Sequence, residues 1–331
     1  MKNILVTGGL GYIGSHTVVE LVKNGFKPII IDNLSNSEIL VLDRIKSICG
    51  TDIPFVQGDV CDVQVLNDVI QKHKIDGVIH FAAFKAVGES VEKPLKYYRN
   101  NIGGLVSLLE AMNTNGIKNL VFSSSCTVYG EPDQSPVDEN AAIKTANSPY
   151  GNTKQIGEEI INECKQLNAV ILRYFNPIGA HPSAKIGELP LGVPNNLVPF
   201  ITQTAAGLRE KLTVFGSDYN TKDGTCVRDY IHVVDLAKAH VIALDYISNH
   251  PENKVETFNI GTGNGHTVLE VIKTFESVNN IKLNYTIGPR RSGDVEKVWA
   301  NPEKAEKQLG WKAELGLEEM LRSSWAWQSQ L

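Results

Sequence analysis

Short apolar runs recur through the first half of the chain. Asn3–Thr7, Lys27–Ile31, Ile53–Val56, Gly77–Phe81, Asn119–Ser123 and Ala169–Arg173 are rich in Val, Ile, Leu and Phe, and most are nearly continuous instead of alternating with polar residues. Strands that read this way are covered on both faces, as in a parallel sheet with crossover helices. Helix-like stretches separate them, so the pattern predicts six β/α repeats and an α/β, doubly wound parallel sheet of Rossmann type. Ligands are then expected beyond the carboxyl ends of the strands. From about residue 176 the texture changes. Asn176 to Asn196 reads as loop, with Pro177, Pro182, Pro190 and Pro194 and several glycines. Beyond it, helices mix with short strands at Leu212–Phe215, Thr257–Ile260 and Leu283–Thr286. The expected division is a first domain over 1–175 and a smaller mixed α/β domain over 176–331, with about 231–262 able to pack back on the first.

Composition narrows the function. The 331 residues are 42% apolar and 21% charged, which suits one large or two modest globular domains and excludes a disordered chain. A net charge of −5 gives no general reason to bind nucleic acid or an anionic membrane. No apolar run approaches the roughly 18 residues of a spanning helix, and no signal-peptide pattern is read at the start, so a cytoplasmic location is expected. Five cysteines stand singly with no CxxC, which fits reduced thiols and predicts neither a disulfide framework nor a metal site.

The first strand runs directly into Thr7-Gly8-Gly9-Leu10-Gly11-Tyr12-Ile13-Gly14, where a helix begins. Gly8, Gly11 and Gly14 are placed to make a tight turn, to let backbone approach a pyrophosphate and to let the helix pack close to the sheet. The amino end of that helix then faces phosphate with N–H groups and partial positive charge. Asp32 ends the second strand, where an acid can hold both hydroxyls of an adenosine ribose and repel a 2′-phosphate, favouring NAD over NADP. Asp59, after the third strand, could meet the adenine amino group.

Ser148-Pro149 reads as a helix start, which sets Tyr150 and Lys154 at i and i+4 on one face. The spacing alone also fits a surface helix; its position after the fifth strand argues for chemistry. A cation about 4 Å from a phenol is worth at most ~4 kcal/mol at an effective dielectric of 20, roughly three pKa units. With a nicotinamide charge added, that could bring the phenol near working pH. Ser123, Ser124 and Ser125 end the fifth strand, where one hydroxyl could bond an oxygen that alternates between alcohol and ketone.

With these residues the chain resembles the extended short-chain dehydrogenase/reductases, and more closely their UDP-glucose 4-epimerase branch. The likeness covers nearly the whole chain. It is carried by residues 8–17 (GGLGYIGSHT), 84–90 (FKAVGES), 123–130 (SSSCTVYG), 148–151, 173–182 (RYFNPIGAHP), 194–197 (PNNL), 223–232 (DGTCVRDYIH) and 289–294 (PRRSGD). The resemblance implies interconversion of UDP-glucose and UDP-galactose: oxidation at C4 by bound NAD, turning of the 4-keto sugar, and return of hydride to its other face. Tyr150 would be the acid/base, Ser125 its partner at the sugar oxygen, and Lys154 the group that holds the nicotinamide ribose and lowers the tyrosine pKa. The NAD site would be lined by Gly8, Gly11, Tyr12, Ile13, Gly14, Asp32, Asn33, Leu34, Ser35, Asn36, Ser37, Asp59, Val60, Phe81, Ala82, Ala83, Lys85, Asn100, Ser125, Tyr150, Lys154 and Phe175. The first domain would thus bind NAD and the second the UDP-sugar. There Arg228 and Arg291 would grip pyrophosphate and Asp294 would contact ribose. Asn176, Asn196, Leu197, Thr213 and Phe215 would line the pocket together with Val298, and Lys85, Ser125 and Tyr150 would also reach the substrate. A homodimer through helices of the cofactor domain is implied as well.

Departures from the family pattern carry information. Val298 stands where some members have tyrosine, so an acetamido group should fit and N-acetylated UDP-hexosamines should be accepted. Ser125-Cys126-Thr127 stands where 4,6-dehydratases have Thr-Asp-Glu, so elimination would lack its acid and base. Another nucleotide-sugar epimerase of the family remains open. A non-catalytic NAD sensor would be expected to lose Tyr150 or Lys154, and both are present.

Overall fold

The computed structural model describes residues 2–250, 252, 254–291 and 294–331. Ser292 and Gly293, within the 289–294 block, lie outside the described residues. The chain divides into two units, one of residues 1–130, 143–174 and 237–258, the other of 131–142, 175–236 and 259–331. In chain order the elements are β1 (Asn3–Thr7), α1 (Tyr12–Lys23), β2 (Lys27–Asp32), α2 (Leu40–Cys49), β3 (Phe55–Gln57), α3 (Val63–His73), β4 (Gly77–His80), α4 (Val87–Glu92), α5 (Pro94–Tyr97), α6 (Gly103–Thr114), β5 (Asn119–Ser125), α7 (Pro149–Glu163) and β6 (Asn168–Tyr174). There follow β7 (Asn176–Ile178), α8 (Leu197–Ala205), β8 (Leu212–Phe215), β9 (Val227–His232), α9 (Val233–Asn249), β10 (Val255–Ile260), β11 (Gly265–Thr267), α10 (Val268–Asn279), β12 (Tyr285–Gly288), β13 (Lys297–Val298) and α11 (Leu317–Gln328).

In the first unit the sheet order is β10-β6-β5-β4-β1-β2-β3. The β6–β5–β4–β1–β2–β3 pairs are parallel. The Ala169 N–H donates to the Lys254 carbonyl and the Phe175 N–H to that of Ile260. The offset is the same on both strands, so β10 runs parallel to β6. Leu5, Ile29, Ile31, Val78, Leu120, Phe122, Ala169 and Ile171 line one face and pack on Leu66 and Ile70 of α3, Leu105, Leu108 and Met112 of α6, and Ile161 of α7. The intervening residues Ile4, Val6, Ile30, Ile79, Val121 and Val170 are also buried, and α1 packs on β1 and β2. Cover on both sides is why these strands read as continuous apolar runs. The order reverses between β1 and β4, and the glycine turn and Phe81–Ala83 meet at their carboxyl ends, joined by the Phe81 N–H to Thr7 carbonyl bond of 3.1 Å.

Six strands were expected and seven form. The seventh, β10, contains the Thr257–Ile260 run, which lies inside the 231–262 stretch read as able to pack back on the first domain. Residues 131–142, inside the range expected for the first domain, group with the second unit. There the Val137 N–H donates to the Trp299 carbonyl and the Asn301 N–H to the Val137 carbonyl. That pairing across more than 160 residues leaves no local trace. The second unit centres on β9, flanked by β7 and β13 in parallel and by β11 antiparallel, with β8 and β12 paired apart. Its core joins Val198 and Ile201 of α8, Val271, Ile272 and Phe275 of α10, and Met320 and Leu321 of α11.

Candidate active site

Gly8 has φ +67°, and a Cβ there would lie 2.9 Å from the Ala82 nitrogen. A Cβ on Gly14 would lie 2.3 Å from the Gly8 carbonyl oxygen, so any side chain would push α1 off the turn. Gly11 caps α1 with no side-chain acceptor for the first N–H groups. Asp32 is buried at the end of β2. Its Oδ2 accepts from the Leu10 N–H at 3.1 Å, and its Oδ1 from the Leu34 N–H at 2.9 Å and the Ser37 hydroxyl at 2.8 Å. Asn33 donates to Asp59 at 3.0 Å, and the Cys61 N–H to Asp59 at 2.8 Å. Burial opposes ionisation of Asp59, but these bonds outweigh it and hold its carboxyl below the usual value. The glycine turn, Asp32–Leu34, Ser37 and Asp59 therefore form one connected rim. Val60 is buried, while Ser35 and Asn36 are exposed. Lys85 Nζ lies 5.9 Å from the Tyr12 ring centroid. Asn100 donates to Asn101 at 2.9 Å. Phe175 is buried in the second unit.

Ser148 caps α7, accepting from the Gly151 N–H at 3.2 Å, with Pro149 in the first turn. Tyr150 and Lys154 are both buried, 7% and 4% exposed. The three serines of β5 divide their work. Ser123 bonds the Tyr174 hydroxyl at 2.7 Å, Ser124 donates to Glu158 at 2.5 Å, and Ser125 lies beside the Tyr150 phenol, whose proton affinity it lowers. Lys154 Nζ donates to the Ser123 carbonyl at 2.6 Å. Burial is the largest influence on both members of the pair. It pushes the Tyr150 phenol well above the usual tyrosine range, with Tyr174 adding to the rise and Ser125 opposing it. It brings Lys154 down to about 8, against the pull of Glu158. Within the chain alone Ser125 is the group that favours the phenolate, and Lys154 is not among the main influences on it; the expected lowering joined Lys154 to the nicotinamide charge, which these side chains do not include. The sequence could not weigh burial, and here burial exceeds the charge effect.

In the second unit the structure brings Arg228, Arg291, Asp294 and Phe215 together. Arg291 pairs with Asp294 at 2.7 Å, Arg228 approaches the same carboxylate at 4.0 Å, and the Arg291 guanidinium lies 5.7 Å from the Phe215 ring centroid. Val298 is buried on β13 opposite Arg228 of β9, and Asn176 on β7 faces Tyr230 of β9. Asn196 caps α8 beside Leu197 and donates to Glu188 at 2.8 Å. Thr213 lies on β8 opposite Thr286.

Several residues escape the sequence reading. Asp229 is fully buried and accepts from the Thr262 N–H and hydroxyl, the Gly263 N–H and the Ala300 N–H, fixing β9 beside Arg228. Asn101 joins both polar groups of Phe84 to Thr153 of α7. Glu158 and Arg173 form a buried pair at 2.6 Å. An acid inside a β-rich run, or one at i+4 from a functional lysine, is the signal that could have flagged Asp229 and Glu158.

A parallel sheet with a glycine turn after β1, an acid ending β2 and a buried tyrosine–lysine pair after β5 defines the extended short-chain dehydrogenase/reductase class. The profile of the family described as GDP-mannose 4,6 dehydratase matches residues 5–324. The chain is 51% identical to the UDP-glucose 4-epimerase of Bacillus subtilis (strain 168) over 98% of its own length and 96% of the relative's. It superposes with TM-score 0.97 on a UDP-glucose 4-epimerase from Stenotrophomonas maltophila with bound NAD and formylated UDP-arabinopyranose, 48% identical and covering 100% and 98% of the two chains. The Bifidobacterium longum UDP-glucose 4-epimerase in complex with NAD+ and UDP gives 0.95 at 45% identity, covering 99% and 98%. The chain belongs to the UDP-glucose 4-epimerase family, within the broader family that the matching profile describes.

Proposed function

We propose that the protein interconverts UDP-glucose and UDP-galactose with NAD as resident cofactor. The observation that carries this reading is the buried Tyr150 phenol, with Ser125 beside it and Lys154 one helical turn away. The residues fit NAD: Gly8 and Gly14 leave space that a Cβ would fill, and Asp32 ends β2 with a carboxylate already aligned by three donors. Gly8, Gly11, Tyr12, Ile13 and Gly14 would face its pyrophosphate, Asp32 to Ser37 its adenosine ribose, and Asp59 and Val60 its adenine. Nicotinamide supplies hydride acceptance from the sugar C4 and hydride return, and its positive charge favours the phenolate.

Tyr150 takes the proton of the 4-hydroxyl onto its phenolic oxygen and later gives it back. Ser125 donates to the same sugar oxygen and holds it in line. Lys154 anchors the nicotinamide ribose and adds positive charge to the site. The 4-keto sugar turns about its link to the diphosphate between the two transfers, so C4 is inverted with no net oxidation. Arg228 and Arg291 are assigned the diphosphate, for which forked donors are suited, and Asp294 the uridine ribose. Val298, a small buried side chain, is assigned the C2 substituent, so N-acetylated UDP-hexosamines are also substrates.

A dehydratase reading is disfavoured because Cys126 and Thr127 carry no carboxyl group, and Glu158, the acid of the Tyr150 cluster, is committed to Arg173. Val87 and Val91 of α4 and Leu95 of α5 are exposed apolar side chains of the cofactor-binding unit, which supports a homodimer through that unit. No helix of the described residues is long and apolar enough to cross a membrane. Among the described residues no cysteine is in a disulfide, which suits a reducing compartment such as the cytoplasm. Product analysis with UDP-glucose and with UDP-GlcNAc, for wild type and Tyr150→Phe, tests the reading. It expects both sugars to be epimerised by wild type without added reductant. Full activity in Tyr150→Phe, or no conversion by wild type, would overturn it.

A further inference from the structure

Tyr150, Lys154 and Glu158 are spaced four apart on α7, so they stack along one helix face, and all three are buried. Glu158 is held from two strands. Arg173 of β6 donates Nε to Oε1 at 3.0 Å and Nη2 to Oε2 at 2.6 Å. Ser124 of β5 donates its hydroxyl to Oε1. Arg173 is fixed in turn by the Tyr129 hydroxyl at 3.1 Å and by that ring, 5.0 Å from its guanidinium. Lys154 has a poorer setting. Its hydrogen bond goes to the neutral Ser123 carbonyl, and the Phe122 ring centroid lies 5.0 Å away.

A buried ammonium in such surroundings tends to give up its proton. A fold that needed only a tie between α7 and the sheet could use apolar side chains, since buried ion pairs are often replaceable without loss of stability. We infer that Glu158 is a positioning residue that keeps Lys154 charged and in place, and that Arg173 and Ser124 fix the Glu158 carboxylate for that task. The inference rests on the role proposed above for Lys154. The groups that face Lys154 agree with it. His80 of β4 stays neutral, its pKa lowered to about 3 by burial and by Lys154 itself. Ser123 and Phe122 of β5 carry no charge, and Tyr150 lies on the same helix. Glu158 is the group that raises Lys154 against burial.

The test is the pH profile of kcat for the NAD-loaded enzyme with UDP-galactose. Glu158→Gln is expected to move the alkaline half-point of kcat down by about one pH unit. Glu158→Asp, which keeps the charge, should restore most of that shift. Glu158→Gln leaves a buried guanidinium unpaired and can unfold, so Glu158→Gln/Arg173→Met is run beside it. That double variant removes both charges and should show a smaller downward shift, since the repulsion from Arg173 is lost with the attraction of Glu158, and a near-native thermal midpoint. Folded variants that lose kcat equally at every pH, with an unmoved half-point, would overturn the inference. If Tyr150→Phe is inactive in the same experiment, the epimerase reading stands and only the inference falls. If Tyr150→Phe is fully active, that reading falls and takes the inference with it.

Discussion

Around α7, four ionisable side chains are almost dry: Tyr150, Lys154, Glu158 and Arg173 are each 7% exposed or less. In the second unit, Arg291 keeps 55% of its side chain in water and shares Asp294 with Arg228. The contrast shows what burial is for. In the dry cluster every charge must be answered by protein groups, and proton affinities move far from their ordinary values. That is a means of setting an acid/base. In the wet cluster the arginines keep their charge at little cost, and a carboxylate partner can be exchanged for a diphosphate. One region adjusts where a proton sits, while the other offers standing charge to an anion.

The largest effect should come from the dry cluster. Tyr150→Phe removes the phenolic oxygen and little else, so kcat should fall by about 10² to 10⁴-fold while KM stays within about two-fold. A stopped time course with HPLC separation of the two UDP-hexoses checks this. The pH profile follows from Lys154. Its proton is held below about 8 and lost above it, because burial disfavours the ammonium. Activity should therefore decline on the alkaline side well before the roughly 10.4 of an ordinary lysine. A plateau extending to pH 10 would show that Lys154 keeps its charge by some other means, and the contrast between the clusters would weaken.

An intermediate effect is expected at Val298, a buried position in the second unit. Tyrosine there should occupy the space assigned to the C2 substituent. Val298→Tyr should lower kcat/KM for UDP-GlcNAc by about 10 to 100-fold and leave UDP-glucose within about three-fold. Side-by-side kinetics with the two sugars give the answer. Equal losses for both would mean that Val298 packs structurally and does not select.

The two regions also differ in how far they could be read in advance. The glycine turn, Asp32 and the Tyr150–Lys154 pair were legible because each is a local device: a few residues whose spacing fixes a turn, a strand end or a helix face. The continuous apolar strands were legible for the same reason. What stayed hidden depends on distant partners. β9 mixes Arg228, Asp229 and His232 with apolar residues, and only the donors from Thr262, Gly263 and Ala300 explain a buried acid there. Glu158 reads as an ordinary helix acid until Arg173 of β6 is placed against it. The rise that burial imposes on Tyr150 before NAD is counted was also hidden, because charge spacing is visible in a sequence and desolvation is not.

The smallest effects should lie in the wet cluster, and they test whether exposure governs the difference. Arg228 has a side chain 17% exposed on a strand fixed by Asp229, whereas Arg291 is mostly in water three residues from its partner Asp294. A half-buried forked donor bonds an anion in weak competition with solvent, while an exposed one is screened and loses side-chain entropy on binding. Arg228→Ala should raise KM for UDP-galactose by about ten-fold or more, consistent with one charged hydrogen-bonding group lost. Arg291→Ala should raise it only about two- to five-fold, within the range of exposed ion pairs. The Arg291 effect should also shrink as salt rises from about 0.05 to 0.5 M, because the screening length falls to a few ångströms. Initial rates for both variants at the two salt concentrations decide the matter. If Arg291→Ala costs more than Arg228→Ala and resists salt, Arg291 becomes buried when the nucleotide is bound, and the wet cluster is wet only in the absence of its ligand.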